Sequence, residues 1–280
     1  MKKTTSAFAA FLIYSMAFSQ STQKVTLAAG QKILIVTEVS MDANLGMGMD
    51  LNSTSTTNNL LTVKNITTAN YTISNTLTKV KVNMNMMGQS NNYDSENKES
   101  NNEDMAKVFD DKLNKTSDYI IDNNTGKIIT ENKNGNTTGD SDKVNLTEDM
   151  LKVFSDNSDE AIVSGTFEIL PASKKIGDSW ADTANTKESK TIRTYTLQSI
   201  TGNEAVIKVD IASTAKNKVD VQEMEMEIAT QTKTIGEIVT DITTGVVKKR
   251  NTVSDITGSF QLMGQDMPIT AKVTTVSTYQ

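Results

Sequence analysis

The sequence predicts a mainly β protein of the α+β class, built as an antiparallel curved sheet or half-barrel with one or two short helices. The first observation is strict apolar–polar alternation in long stretches, clearest at Val80, Val82, Met84 and Met86, where a period of two places one set of side chains on a buried face. The second is that short turns separate successive stretches. Short turns favour antiparallel pairing, because parallel strands need long crossovers.

The first nineteen residues have the pattern of an export signal. Lys2 and Lys3 precede an apolar stretch over 7–18, and small residues stand at Ala17 and Ser19. This pattern predicts a signal peptide over 1–19, cut before Gln20, and an exported chain that is periplasmic or secreted. The apolar stretch is shorter than the roughly 20 residues of a membrane-spanning helix, so no integral membrane segment is expected in the mature chain. The sequence has no cysteine, which excludes an acylated cysteine and disulfides.

The N-terminal half, residues 20–166, is predicted to be β-rich, with strands over 32–41, 60–66 and 71–87. The Asn-, Ser- and Thr-rich stretch 50–59 has turn chemistry and is predicted to be a loop. In the third strand the apolar phase changes between Leu77 and Val80, which predicts a β-bulge near Thr78.

Two short helices and a hairpin complete this half. A capping box over 100–103 predicts a helix over 101–113, and the similar sequence at 148–154 predicts a second helix beginning near Thr147. Between them, the turn 122–126 separates two short apolar strands and ends in Gly126, which predicts a β-hairpin. The same Asp-x-x-Thr-Gly pattern recurs at 241–245.

Residues 167–180 are predicted to connect two halves built on a duplicated plan, with Leu170 and Trp180 buried where the halves meet. The repeated turn and the repeated helix sequence are the basis for the duplication. Residues 181–280 are predicted to form a C-terminal antiparallel β half. Its predicted strands are 189–200, 205–212, 221–230, 232–240, 246–254, 258–263 and 269–278.

The residue types exclude most catalytic chemistry. The absence of both histidine and cysteine removes Ser-His-Asp and Cys-His triads, histidine-bound zinc and thiolate nucleophiles, so we expect no enzyme, no metal and no cofactor. A hydrolase built on carboxylates remains a minor alternative. The acidic loops at 140–142 and 156–160 do not have the ligand spacing of a calcium loop. The net charge of −6, without a basic stripe, argues against nucleic acid as a partner.

Methionines are the best candidates for a binding site. Three Met-x-Met pairs occur, and in a strand this spacing puts both thioethers on one side. Flexible, polarizable side chains on one sheet face adapt to varied apolar ligands, whereas the ordinary use of such residues is to fill a core that is short of aromatics. The predicted ligand-binding residues are Met47, Met49, Met84, Met86, Met224, Met226 and Trp180.

The favoured hypothesis is an exported, non-enzymatic binding protein that holds an apolar small molecule or lipid on a methionine-rich concave sheet face. The alternative is a structural or cell-envelope module that binds envelope proteins through exposed strand edges and polar loops.

Several short motifs stand in an order that resembles a known family. They are Gly30-Gln31, Tyr93-Asp94-Ser95, Leu170-Pro171, 177–180, 194–197 and the two Asp-x-x-Thr-Gly turns. The chain resembles a family of uncharacterised exported proteins of Bacteroidota, known only as a domain of unknown function, and the resemblance implies no activity. The expected architecture is similar to the half-barrels of periplasmic lipoprotein carriers (LolA-like) or to a lipocalin-like barrel. This fold analogy would place a ligand on the concave face that carries the Met-x-Met strands.

Overall fold

A computed structural model describes residues 24–46, 48–132, 158–221, 224–262 and 265–280. Within these ranges the chain forms twelve strands and two α-helices, α1 (Glu103–Phe109) and α2 (Asp159–Gly165). Neither helix has the length and apolar content needed to cross a membrane. The strands are β1 (Lys32–Asn44), β2 (Asp50–Ile66), β3 (Asn70–Met86), β4 (Gln89–Asp94), β5 (Thr116–Asp122), β6 (Ile128–Asn132), β7 (Ser179–Asn185), β8 (Ser189–Thr201), β9 (Glu204–Val221), β10 (Met224–Asp241), β11 (Val247–Leu262) and β12 (Gln265–Tyr279).

All twelve strands belong to one curved antiparallel sheet, which confirms the predicted fold class. The strand order is β6-β5-β3-β2-β1-β12-β11-β10-β9-β8-β7, and β4 pairs with β3 beside this path. The pairing of β1 with β12 joins the N-terminal strands to the C-terminal strands, from Ile35 opposite Tyr279 to Asn44 opposite Thr270. The first and last strands therefore lie in the middle of the sheet, while β6 and β7 form its two edges.

One face of the sheet, the inner face, carries the core. Along β1, residues 33, 35, 37, 39, 41 and 43 are buried on this face, while Glu38, Ser40 and Asp42 are exposed on the other. The core consists of two clusters. The first cluster includes Ile35, Leu61, Tyr71, Phe167, Leu197 and Ile207. The second cluster includes Met41, Leu51, Val82, Met84, Met105 and Ile256.

The backbones of β10 and β11 approach each other closely at two glycines. A Cβ atom added at Gly258 would lie 2.2 Å from the Ala229 carbonyl oxygen, and one added at Gly236 would lie 2.3 Å from that of Asn251. A side chain at either glycine would point to the inner face, because directly paired residues face the same side of a sheet. Gly258 is paired with Ile269, and Gly236 with Thr252. Glycine allows this close approach of neighbouring backbones, and such positions typically mark sheet corners.

Residues 159–171, which we call the closing segment, pack on the inner face over the first cluster. Val163, Phe167 and Leu170 of this segment are buried in that cluster. The segment leads from the side of edge strand β6 to edge strand β7. Trp180 lies on β7 and is half-buried, not at the β1–β12 pair where the N- and C-terminal strands meet.

The two Asp-x-x-Thr-Gly turns have the same hydrogen bonds from backbone N–H groups to the aspartate. The Asp122 Oδ1 atom accepts hydrogen bonds from the backbone N–H groups of Asn124 and Thr125, and the Asp241 Oδ1 atom accepts them from Thr243 and Thr244. Each turn ends in a glycine with positive φ, 68° at position 126 and 71° at position 245. The turn chemistry read from the sequence is therefore confirmed.

Both turns also lie against the same short stretch at the start of the described chain. The Val25 N–H donates to the Asn123 carbonyl over 2.7 Å, and the Thr26 N–H donates to the Thr244 carbonyl over 2.9 Å. The two turns occupy different places in the sheet order, since one joins β5 to edge strand β6 and the other joins the interior strands β10 and β11.

Several boundaries differ from the sequence predictions. Residues 50–59 were predicted as a loop but form the first part of β2, because they pair on both sides with β1 and β3. β10 and β11 are each one continuous strand where two were predicted. The strand β4 and the helix α2 were not predicted, and the predicted helix near 147–154 lies outside the described residues. The bulge at Thr78 is confirmed, since Asn58 pairs with Lys79 and Asn59 with Leu77.

Candidate functional site

The methionines collect at one end of the sheet. The adjoining ends of β1 and β2, of β3 and β4, of β9 and β10 and of β11 and β12 all lie at this end, because neighbouring strands are antiparallel. We call it the methionine end. Every methionine of the described residues lies there or in the second cluster beside it: Met41, Met49, Met84, Met86, Met87, Met105, Met224, Met226 and Met267.

Strand register brings the methionine side chains of β1 and β3 onto the same face. Ser53 of β2 is paired with Met41 on one side and with Met84 on the other, so both thioethers flank Ser53 on the inner face. Both methionines are fully buried. Met86 follows two residues later on the same face, opposite Leu51, and is half-buried.

Helix α1 and strand β4 cover the second cluster. The Asn102 side chain caps α1 by accepting hydrogen bonds from the N–H groups of Asp104 and Met105, at 2.9 and 3.2 Å. Met105 and Val108 on one helix face are buried. Tyr93 of β4 donates a hydrogen bond of 2.8 Å to Asp110, and its burial raises the pKa of Tyr93 to about 12. Asn102 was missed as the cap because the sequence pattern favoured Ser100.

The structure brings three of the predicted ligand-binding residues together. Met84 is part of the second cluster, and Met49 and Met86 are half-buried against it. Met224 and Met226 have their backbone at the start of β10, paired with Val221 and Val219 of β9 at the same end of the sheet. Their side chains, and Met47 as a whole, lie outside what the structure describes.

Trp180 lies apart from the methionines. Its ring packs against the first cluster and is stacked on Tyr195, with ring centroids 5.5 Å apart and an angle of 10° between the planes. Tyr195 is the residue opposite Trp180 in the β7–β8 pair, so the stack is a cross-strand pair. The seven predicted residues therefore do not form a single cluster.

Hydroxyl groups occupy part of the inner face between the two clusters. They are hydrogen-bonded in cross-strand pairs: Thr37 with Ser277 at 3.0 Å, Thr234 with Ser254 at 2.7 Å, and Thr191 with Ser213 at 2.9 Å. These pairs satisfy polar groups that would otherwise be unpaired on a partly buried surface.

A charged cluster fixes the closing segment to the sheet. Arg250 of β11 lies 3.7 Å from the Glu168 carboxylate and donates a hydrogen bond of 3.3 Å to the Gly165 carbonyl, to which the Tyr279 hydroxyl also donates at 3.1 Å. Burial raises the pKa of Glu168 to about 6, against the opposing effect of the Arg250 charge. The sequence signal for this cluster is an acid inside the apolar run 167–170.

One open groove of the described residues lies on the other face of the sheet and is lined mostly by polar side chains. This groove of about 570 Å³ is lined mainly by exposed side chains of β1, β2, β11 and β12, among them Asp42, Asn44, Asp50, Asp255 and Lys272. These positions alternate with the inward residues of the second cluster. Such a lining does not suit an apolar ligand.

The fold and these contacts define a protein with an open antiparallel sheet, a filled inner face and a methionine-bearing end. The chain belongs to a family of unknown function, DUF6263, whose model matches residues 68–247. The matched range begins just before β3 and ends at the start of β11, so it includes α1, the closing segment and both Asp-x-x-Thr-Gly turns. No curated protein matches the sequence significantly.

Two solved structures show distant similarity. A structure on lipid–protein interactions in lipovitellin aligns with a TM-score of 0.47 and 10% identity, over 90% of this chain and 25% of that chain. The crystal structure of Pseudomonas aeruginosa OccK5 (OpdH) aligns with a TM-score of 0.24 and 8% identity, over 90% of this chain and 98% of that one. The chain thus spans a quarter of the lipovitellin chain, and both TM-scores are below 0.5, so neither similarity carries a functional argument.

Proposed function

We propose that the protein is an exported, non-enzymatic binding protein that holds an apolar, lipid-like ligand at the methionine end of the inner face. The observation that carries the proposal is the position of Met49, Met84 and Met86, which meet in one cluster although β3 supplies two of them and the segment before β2 supplies Met49. Met49 and Met86 retain exposed surface at the rim of this cluster. Flexible thioether side chains at a rim can repack around ligands of different shape.

The ligand would contact Met49 and Met86 first, with Met84 beneath them. Trp180 packs against the other cluster, so only a ligand long enough to follow the inner face would reach it.

The test compares glutamine substitutions of adjacent methionines. Glutamine has nearly the size of methionine but is polar, so the double variant Met49→Gln/Met86→Gln should lose binding of a fluorescent fatty-acid probe by about tenfold or more, from the lost apolar contact. Met87→Gln is the matched control, since Met87 neighbours Met86 in sequence but is 67% exposed.

Two outcomes would refute the proposal. One is a wild-type chain that neither carries co-purifying lipid in native mass spectrometry nor binds the probe. The other is a double variant that binds the probe as tightly as the Met87→Gln control. In either case the methionines serve as core residues, and the alternative of a cell-envelope module that binds proteins through strand edges becomes the better hypothesis.

A further inference from the structure

The methionine end also has the chemistry of a metal site. Thioether sulfur is a soft ligand that selects soft cations such as Cu(I) over hard ones such as Mg²⁺ or Ca²⁺. The sequence contains neither histidine nor cysteine, so any soft-metal site on this chain must be built from methionine. Within the described residues no group of three or more Asp or Glu side chains is placed to hold a metal ion.

Register places several thioethers within one small region. Met84 and Met86 are two residues apart on the same face of β3, and Met41 lies on that face two strands away, across Ser53. Met49 precedes β2, and Leu51 two residues later is directly opposite Met86. The backbone N–H of Met87 donates to the Asp50 carbonyl at 3.2 Å, which holds the two chain segments together at this point.

Burial differs among these methionines in a way that suits an ion entering from solvent. Met41, Met84 and Met105 are buried and fixed by packing, whereas Met49 and Met86 are half-buried at the rim. The half-buried methionine side chains at the rim are unbranched and can rotate toward an ion, while the buried methionines beneath them are held in place by packing. A net charge of −6 favours the approach of cations over anions.

We infer that Met49, Met84 and Met86 form a thioether site for a soft monovalent d¹⁰ cation, Cu(I) or Ag(I), at the methionine end of the sheet. The site uses sulfur lone pairs and needs no proton release, because thioethers carry no dissociable proton. Met41 and Met105 support the site from beneath through packing. The inference is independent of the apolar-ligand proposal, since it concerns the sulfur atoms and not the apolar surface.

The experiment is a titration of the purified chain, labelled with [methyl-¹³C]methionine, with Ag(I), which is stable in air. Saturable shifts of the Met49, Met84 and Met86 methyl resonances are expected, with the Met87 resonance unchanged. Mg²⁺ should shift none of them. A parallel titration with Cu(I), generated without oxygen in the presence of a chromogenic chelator, should give the same stoichiometry.

Leucine substitutions separate sulfur ligation from packing. Leucine keeps the volume and apolar character of methionine and is tolerated in cores, so Met49→Leu/Met86→Leu should fold normally by circular dichroism. Its affinity for Ag(I) should fall by at least about tenfold, the loss seen when metal sites lose supporting groups. The Met87→Leu control should bind like the wild-type chain.

A wild-type chain without saturable methyl shifts would overturn the inference, and so would a leucine double variant that binds Ag(I) with wild-type affinity. Neither result would affect the apolar-ligand proposal, because leucine preserves apolar binding. Conversely, a wild-type chain that binds no fatty-acid probe but binds Ag(I) saturably would overturn the apolar-ligand proposal and leave the metal site in place.

Discussion

Glu168 is an acid placed where its charge is disfavoured. Burial raises its pKa from an ordinary value of 4.5 to about 6, and the Arg250 guanidinium at 3.7 Å only partly offsets this. The charged groups that act on it come from the surrounding strands and turn: Arg250 of β11, Asp182 of β7, Arg193 of β8 and Lys127 after β5. The folded chain therefore holds this proton more tightly than the unfolded chain does.

Glu168→Gln should remove a pH dependence of stability. Because the folded-state pKa is raised, the contribution of Glu168 is fully present below about pH 4.5 and is lost as pH rises through about 6, a change of roughly 2 kcal/mol. Urea unfolding at about pH 4 and about pH 7, followed by Trp180 fluorescence, should show the wild type losing stability relative to the variant across this window. Glu237→Gln, on an exposed residue of β10, is the control. Parallel pH profiles of wild type and Glu168→Gln would contradict the prediction.

Gly258 marks a point where no side chain fits. We expect Gly258→Ala to lower the free energy of unfolding by about 3 kcal/mol, because its Cβ would meet the Ala229 carbonyl oxygen of β10 at 2.2 Å and the strand would have to shift. Thermal unfolding by circular dichroism gives the measurement.

Gly165→Ala is the matched control for this clash. Its Cβ would lie 3.6 Å from the Tyr279 hydroxyl, an ordinary van der Waals distance, and Gly165 has an ordinary helical backbone. Equal stability losses in the two alanine variants would show that the close approach at β10–β11 does not require glycine.

At the scale of elements, the β10–β11 turn depends on one carboxylate. Burial opposes ionisation of Asp241, but hydrogen bonds from Thr243 and from the Thr244 N–H lower the pKa of this carboxyl overall. The turn also accepts a hydrogen bond from Thr26 and thereby fixes the start of the described chain.

Asp241→Ala should lower the free energy of unfolding by about 1 to 3 kcal/mol, since it leaves several turn donors without their acceptor. Asp241→Asn retains an acceptor oxygen at the same place and should lose clearly less. Urea unfolding with Trp180 fluorescence compares the two. An asparagine variant as unstable as the alanine variant would assign the effect to charge instead of to the hydrogen bonds.

Some elements could be predicted because their signal is local. The phase change between Leu77 and Val80 located the bulge, and the two Asp-x-x-Thr-Gly patterns located the turns, because each feature is determined within a few residues. The stretch 50–59 was misassigned because its Ser, Thr and Asn residues have turn propensity. Its strand conformation is imposed by hydrogen bonds to β1 and β3 on both sides, which no local pattern contains.

At the scale of the whole molecule, the candidate site depends on strand direction and register. The sequence identified the Met-x-Met pairs, but their location at one end of the sheet requires that the end of β3 and the starts of β2 and β10 lie at the same end. The end of the sheet at which β10 starts depends on how many strands separate it from β3 in the sheet, because each neighbouring strand runs in the opposite direction. Strand β4 was not among the predicted strands. Trp180 was grouped with the methionines because sequence cannot separate two clusters on one face.

The pairing of β1 with β12 has a consequence for the timing of folding. Strand β1 is made first among the described strands, yet one of its edges stays unpaired until the last fifteen residues of the described chain are available. Contacts of such long sequence separation form slowly, and an open strand edge invites pairing with other chains. A chain that lacks β12 would therefore leave two half-sheets with unpaired edges at β1 and β11, both open to pairing with other chains.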